Sequence, residues 1–427
     1  MALNSVTMLY TYGIIFVALL LTTYWLFLYF DIRENGDIND LEKEKGSRFK
    51  PRIAVLIPTL NEGEILRKTV ENVAACDYPV GKMSIYIVLN KGSKKPTRDI
   101  ARSMHGKNVR IIDAPMNGKS KVMNYALKKY VKEQFILILD SDTLVDKELI
   151  RRLVVYFKDE KVGAVVSSVE VLNPRTFSEQ MQRYEYLLSI IARKALSYLG
   201  GLLIVHGAGS MFRRTAMKDV GYFDEDNYSE DMEIGMHLLT KGYKVESSLN
   251  ARSYTKAPDT LRALFVQRKR WFSGFFHNIS KYRKVIFQKK YSSLGLLVVP
   301  FMLVSVFFSV FVVALLVYSF LSWAVPLYYL TVNTNFWNAV SVQLSSSTPT
   351  VYSINYLSVL SILSFIVAMF SVFFSLRVID AKVSAIKDSF GILIYTIFYS
   401  FFLSFIWIYG LLIFAIKRRG EGWKTNT

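Results

Sequence analysis

The chain has 427 residues, 52% of them hydrophobic and 15% aromatic, and a formal net charge of +19. That length holds one large soluble domain together with several membrane spans. The single cysteine, Cys76, excludes an internal disulfide and a cysteine-based metal site.

The apolar residues fall in blocks. No charge occurs from Leu9 to Phe30, a stretch long enough to cross a bilayer. Its length, the lack of a preceding basic residue and the lack of a small-residue cleavage site distinguish it from a signal peptide. Three more blocks run from about Leu294 to Ser322, Ile354 to Leu376 and Phe390 to Ile416. They carry almost no charge, which argues against an ion-coupled transporter. Of the 53 Lys and Arg residues, 46 lie between residues 31 and 293. The positive-inside rule places that segment in the cytoplasm and the N-terminus outside. A basic surface there suits anionic headgroups of the lipid bilayer and a substrate bearing phosphates. Membrane spans bracket the charge and no nucleic-acid motif is visible, so no nucleic-acid partner is expected.

The expected organisation is an N-terminal transmembrane helix (1–30), a cytoplasmic α/β domain (31–278), an interfacial segment (279–293), a transmembrane region (294–416) and a basic tail (417–427). This describes a multi-pass plasma-membrane protein. Three C-terminal spans put Lys417, Arg418 and Arg419 outside, against the charge rule. Two short spans within residues 294–330 would bring the tail inside, and the sequence leaves both open.

Within the domain, strands are expected at Ile53–Ile57, Ile85–Leu89, Val109–Ile112, Phe135–Leu139 and Val162–Ser167, each short and rich in β-branched residues. Helices are expected between them, at about Glu62–Ala75, Thr97–Met104, Lys119–Lys132 and Lys147–Phe157. The alternation implies a mostly parallel sheet with helices on both faces. No G-x-G-x-x-G follows the first strand, so a dinucleotide cofactor is not expected.

Five motifs stand out. Asp140 and Asp142 emerge one residue apart from the C-terminal end of a buried strand, where open α/β sheets bind ligands. Their oxygens suit a hard divalent cation shared with substrate phosphates. Pro58 is expected to end the first strand, with Asn61 or Glu62 capping the next helix. Asn117-Gly118-Lys119 opens a helix whose amides, with Lys119, form an anion site. Ser229-Glu230-Asp231 precedes an amphipathic run, and Ser229 is placed to cap it. Gln267 to Trp271 is a basic, aromatic stretch just before the membrane.

In order and spacing these motifs resemble those of the membrane-embedded processive enzymes of glycosyltransferase family 2, among them hyaluronan, poly-N-acetylglucosamine, chitin and cellulose synthases. The resemblance runs from the first span to the last. It implies a GT-A-type domain inserted between transmembrane helices, a nucleotide-diphosphate sugar donor, and Mg2+ or Mn2+ as cofactor. It further implies Asp142 as the direct metal ligand, with Asp140 near the metal and ribose. Glu230 and Asp231 match the catalytic motif, Asp231 as general base. Pro58, Asn61, Glu62, Asn90, Lys119, Asp140 and Arg270 match the nucleotide-sugar site. Gly207, Gly209, Gln267 and Trp271 match the acceptor side, and His206 beside them reads as structural. Gly422 to Thr425 resembles a gating segment.

One departure stands at Leu89-Asn90-Lys91-Gly92-Ser93, where the family shows Asp-Asp-x-Ser. Asn90 offers a base an amide rather than a carboxylate, which leaves uridine specificity open. The activity implied is inverting, processive synthesis of a β-linked polysaccharide and its translocation across the membrane, with UDP-GlcNAc as the first donor to consider. The alternatives are transfer of a single sugar to a polyprenyl-phosphate or other lipid acceptor, and an inactive sugar-binding scaffold.

Overall fold

The computed structural model describes residues 5–36, 48–106, 108–227, 229–333, 335–347, 356–379 and 388–417. After the apolar helix α1 (Ser5–Asp31), the chain enters a sheet through β1 (Ile53–Thr59). Ile53, Val55, Leu56 and Ile57 are fully buried there. Each such side chain stabilises the fold by about 1.5–3 kcal/mol. The chain continues as α2 (Glu64–Ala74), β2 (Met83–Leu89), α3 (Lys95–Ser103), β3 (Val109–Asp113), α4 (Lys119–Lys129), β4 (Phe135–Leu139) and the short β5 (Leu144–Val145). Then come α5 (Leu149–Val154), β6 (Val162–Val171), α6 (Phe177–Tyr198), β7 (Ala208–Arg213), α7 (Arg214–Asp219), α8 (Glu230–Thr240), β8 (Lys244–Thr255) and α9 (Leu261–Lys281).

The strand order is β3-β2-β1-β4-β7-β6-β8-β5. β1 pairs in parallel with β2 and β4, β2 with β3, and β6 with β8, whereas β7 runs antiparallel to both its neighbours. Side-chain alternation along β1 divides the core. Ile53, Val55 and Ile57 face Leu66 and Val70 of α2 and Leu149 of α5, while Ala54 and Leu56 share a cluster with Met123 of α4 and Ile234 of α8. The expected helices on both faces are therefore present.

Several expectations need correction. Pro58 does not end β1, which pairs with β2 through Thr59. Beyond Leu56, β1 has no pairing with β4, so a residue without an N–H is tolerated. Neither Asn61 nor Glu62 caps α2; Gly63, at φ 56°, is the N-cap. The segment expected as one helix from Lys147 to Phe157 tightens after Val154 into a 3₁₀ turn, Val155–Lys158. Residues 294–330 do not form two short spans. After a π turn at Leu294–Val298 they run into one helix, α10 (Val299–Asn333), of 35 residues.

The remaining helices are α11 (Phe336–Ser347), α12 (Tyr356–Val378), α13 (Ser389–Ile394) and α14 (Ser400–Lys417), the last two joined by a π turn at Tyr395–Tyr399. Among the described residues, Leu294–Phe311 and Ser389–Ile416 are long and apolar enough to cross a membrane. Helix α9 is fastened to α14 by aromatic packing: Phe272 stacks on Trp407 at 3.8 Å, and Phe276 meets Phe414 at 5.8 Å. Lys417 closes the described chain, so Arg418, Arg419 and Gly422 to Thr425 lie outside the described residues.

Helix α8 approaches the segment before β7 without room for a side chain. A Cβ on Gly235 would lie 1.9 Å from the carbonyl oxygen of Leu203. Gly235→Ala is expected to displace α8 and cost about 1–3 kcal/mol, the usual scale of overpacking. A thermal unfolding midpoint equal to that of the unmodified protein would contradict this packing.

Candidate active site

The carboxyl ends of β1, β2 and β4 open on one cleft. Three asparagines tie its floor together. Asn90 is buried, and its Nδ2 donates to Thr59 O at 2.9 Å while its Oδ1 accepts from the Gly118 amide at 3.0 Å. Asn61 Oδ1 accepts from the Lys94 amide at 2.9 Å, and Asn117 Oδ1 from the Gly92 amide at 2.8 Å. The amide of Asn90 thus needs both a donor and an acceptor face, which a carboxylate lacks. This gives a local reason for the departure from an acidic pair. Arg98 fixes the same loop by donating to Asn90 O, Lys91 O and Ser93 O. Lys91 itself is exposed.

Asp140 and Asp142 follow β4. The Asp140 amide donates to Gly207 O at 3.0 Å, which fixes the turn. A Cβ on Gly207 would stand 2.7 Å from both Asp140 Oδ1 and Lys119 Nζ, so a side chain there would push these two charged ends aside. Gly209, at φ 105°, needs its own conformational freedom beside Ser167. Lys119, first residue of α4, lies 2.6 Å from Asp140 and 3.4 Å from Glu230. Burial works against its charge, but Asp140, Glu230 and Asp231 outweigh it and hold the ammonium well above its ordinary value. Asp142 is raised by burial first, then by Asp140 and Glu62. A crowded, half-buried carboxylate of this kind fits a divalent cation, which would relieve both effects. Among the described residues no three His, Cys, Asp or Glu side chains converge closely enough to hold a metal by themselves.

Glu230 and Asp231 begin α8. Ser229 stands at the N-cap of this helix, but its side chain makes no capping hydrogen bond; its hydroxyl donates to Asp231 Oδ1 at 2.9 Å, and the Met232 amide reaches the same oxygen at 2.8 Å. Oδ2 makes no hydrogen bond among the described residues. Burial and Glu230 raise the Asp231 carboxyl, while the Ser229 hydroxyl and Lys119 pull it back. Helix α9 braces this turn from behind. Asn278, fully buried, donates to Ser229 O at 3.2 Å and accepts from Asn227 at 2.7 Å. A Cβ on Gly274 would come within 2.5 Å of Ser229 Cβ.

The start of α9 carries Gln267, Arg270 and Trp271. Arg270 is exposed and makes no ion pair among the described residues. Gln267 and Trp271 are half-buried, and Gln267 Oε1 is enclosed without a partner. His206 donates from Nε2 to Ser167 O at 3.0 Å, which leaves its Nδ1 lone pair enclosed and unpartnered. Burial, with Arg193 nearby, lowers its pKa to about 3, so the ring is neutral. That suits the structural role read from the sequence.

Sequence reasoning missed Asn278, Arg193, Glu185 and Arg268. Arg193, on α6, has an enclosed Nη1 without a partner, and burial lowers its pKa against the pull of Tyr186, Glu185 and Asp231. The available signal was a set of charged residues on the otherwise apolar face of α6, a helix announced by the capping box of Thr176 and Glu179.

Comparison with known proteins agrees with this geometry. Residues 51–274 match the family described as glycosyltransferase like family 2. A poly-beta-1,6-N-acetyl-D-glucosamine synthase of Staphylococcus epidermidis is 27% identical over 269 residues, 61% of this chain and 64% of that protein. Its counterpart in Staphylococcus aureus strain COL is 28% identical over 275 residues, with the same coverage. The matches span less than two thirds of these relatives. A mannosyltransferase from Pyrobaculum calidifontis, solved with GDP-Man and Mn2+, superposes with a TM-score of 0.50 at 17% identity, covering 83% of this chain and 99% of that one. The last likeness supports the GT-A-like α/β fold. The family match takes in the whole cleft from Pro58 to Trp271, and the chain belongs to the glycosyltransferase-like family 2.

Proposed function

We propose that the protein is an inverting, processive glycosyltransferase that extends a β-linked polysaccharide from a nucleotide-diphosphate sugar and passes it through its own membrane helices. The observation that carries this reading is one cleft with Asp140 and Asp142 on one wall, Glu230 and Asp231 on the other and Lys119 between them. UDP-GlcNAc is the proposed donor, by analogy with the poly-N-acetylglucosamine synthases. The large exposed apolar residues of the C-terminal helices, such as Phe307, Phe320, Ile366 and Phe398, suit lipid contact. They support a multi-pass protein, and the 46 Lys and Arg residues between residues 31 and 293 support placing the domain of residues 31–278 in the cytoplasm.

Asp142, with Asp140, would hold Mg2+ or Mn2+, the remaining ligands coming from substrate oxygens. The ion supplies charge neutralisation for the departing nucleoside diphosphate. Arg270, exposed and unpaired, is available to the same diphosphate. Lys119, Asn61 and Glu62 border the nucleotide, over the floor that Asn90 and Pro58 build. Asp231 Oδ2 accepts the proton of the acceptor hydroxyl as that oxygen attacks the anomeric carbon. A single displacement inverts an α-linked donor to a β-linkage. Gln267 and Trp271 face the acceptor sugar, with Gly207 and Gly209 keeping the backbone close.

Detergent-purified protein incubated with Mn2+ and a panel of nucleotide sugars tests the reading through released nucleoside diphosphate and product size. A long polymer from UDP-GlcNAc is expected. Products limited to one sugar on a lipid phosphate would support the single-transfer alternative, and no turnover with any donor would support the scaffold alternative. Asp231→Asn should lower transfer by roughly 10²–10⁴-fold, the usual worth of a general base, with donor binding retained.

The pH profile gives a second test. A base acts deprotonated, so transfer rises with pH through the Asp231 value, which lies above the roughly 4 of a free carboxylate. Glu230→Gln removes a charge that raises this value and should shift the acid limb to lower pH. An unmoved or alkaline-shifted limb would remove Asp231 from the base role.

A further inference from the structure

Between Gln267 and Arg270 lies Arg268, which the motif leaves unspecified. It is the arginine that the fold encloses: its side chain is 3% exposed, while Arg270 is open to solvent. Arg268 Nη2 donates to Glu185 Oε2 of α6 at 2.8 Å. The Tyr399 hydroxyl, at the junction between α13 and α14, donates to the same oxygen at 2.7 Å. On its other side the Arg268 guanidinium lies 4.1 Å from the centre of the Trp271 ring. A buried arginine persists only where its charge is matched, and among the described residues Glu185 supplies the match. One indole face is therefore covered by a cation whose position is set from below, while the residue as a whole stays half-buried rather than enclosed.

We propose that Arg268, held by Glu185 and Tyr399, is the positioning residue that orients the Trp271 ring for the acceptor sugar. The C-terminal apolar helix thereby sets the register of the acceptor. This inference rests on the polymerase reading of the cleft. It adds the physical link from Tyr399 through Glu185 and Arg268 to Trp271, by which the membrane segment reports on the reaction site. Tyr184 and Arg183, the two preceding residues of α6, bind Asp388 at 2.8 and 3.0 Å just ahead of α13, so α6 and the C-terminal segment are locked over a full turn.

The test uses the full-length protein with Tyr399→Phe, which deletes one hydroxyl and keeps the ring, and Glu185→Gln, which leaves Arg268 without its counter-charge. The first readout is independent of turnover: the rate at which Trp271 is oxidised by a water-soluble reagent, followed by peptide mass spectrometry. Tyr399→Phe should raise it about fivefold, the effect of losing one buried hydrogen bond; Glu185→Gln should raise it further, because Arg268 loses its counter-charge, and Glu185→Asp should recover part of the protection. The second is the acceptor KM for an oligosaccharide primer, expected to rise about as much while the Kd for nucleoside diphosphate stays unchanged. Unchanged Trp271 oxidation with an unchanged acceptor KM in folded Tyr399→Phe would overturn the proposal. A parallel loss of nucleotide affinity would also overturn it, since that marks general disturbance of the fold. If the unmodified protein makes no polymer, the polymerase reading fails and the acceptor role with it. The oxidation rates then still decide whether Arg268 holds the ring.

Discussion

The cleft depends on a shortage of positive charge. Asp140, Glu230 and Asp231 all act on the ammonium of Lys119, and Asp142 stands beyond it with Asp140 and Glu62 as unfavourable neighbours that Lys256 offsets only in part. Carboxylates brought this close in a partly buried place raise one another's pKa unless a cation joins them. The sheet contributes to this crowding, since the Asp140 amide after β4 bonds to Gly207 O before β7, and a Cβ on Gly207 would press on the ends of Asp140 and Lys119. A site with that imbalance is prepared for a divalent ion that arrives with its own phosphate oxygens.

A second constraint is that one helix serves both halves of the proposed reaction. Helix α9 fixes Ser229 through Asn278 and Gly274, and Ser229 in turn fixes Oδ1 of Asp231. Two turns before Asn278 the same helix presents Trp271, and its outer face stacks on Trp407 of the last apolar helix. The proposed base is braced by, the proposed acceptor platform carried on, and the last apolar helix packed against this one helix. Movement of the C-terminal helices cannot leave the site untouched, which is the property a polymerising and translocating enzyme needs.

The parallel half of the sheet was legible because β1, β2 and β4 are buried on both faces and read as apolar runs. Of the other half, β6 was legible as Val162–Ser167, but β5 and β8 were not. β8 carries Lys244, Glu246, Asn250 and Arg252 among its serines. Its buried serines are satisfied across the sheet, Ser253 bonding to Ser167 at 2.8 Å and Ser168 to Ser248 O at 2.9 Å. Polar pairs of this kind erase the alternation on which strand recognition relies. β7 was visible only as a glycine-bearing motif. The acidic motifs and the aromatic stretch before the membrane were legible at residue level, and the structure brings Asp140, Lys119, Glu230 and Asp231 together. Asn278, Glu185 and Arg268 were not legible, because their importance lies in contacts between segments far apart in the chain. Asn90, expected to offer its amide to a base, has both ends of that amide engaged within the fold, on Thr59 O and the Gly118 amide.

The most direct test of the central claim is Mn2+ binding, followed by electron paramagnetic resonance with and without UDP. A cleft built as described binds the ion far more tightly when the diphosphate is present, and Asp142→Ala abolishes that gain. Equal Mn2+ affinity in the presence and absence of nucleotide, or a gain that survives Asp142→Ala, would contradict the account.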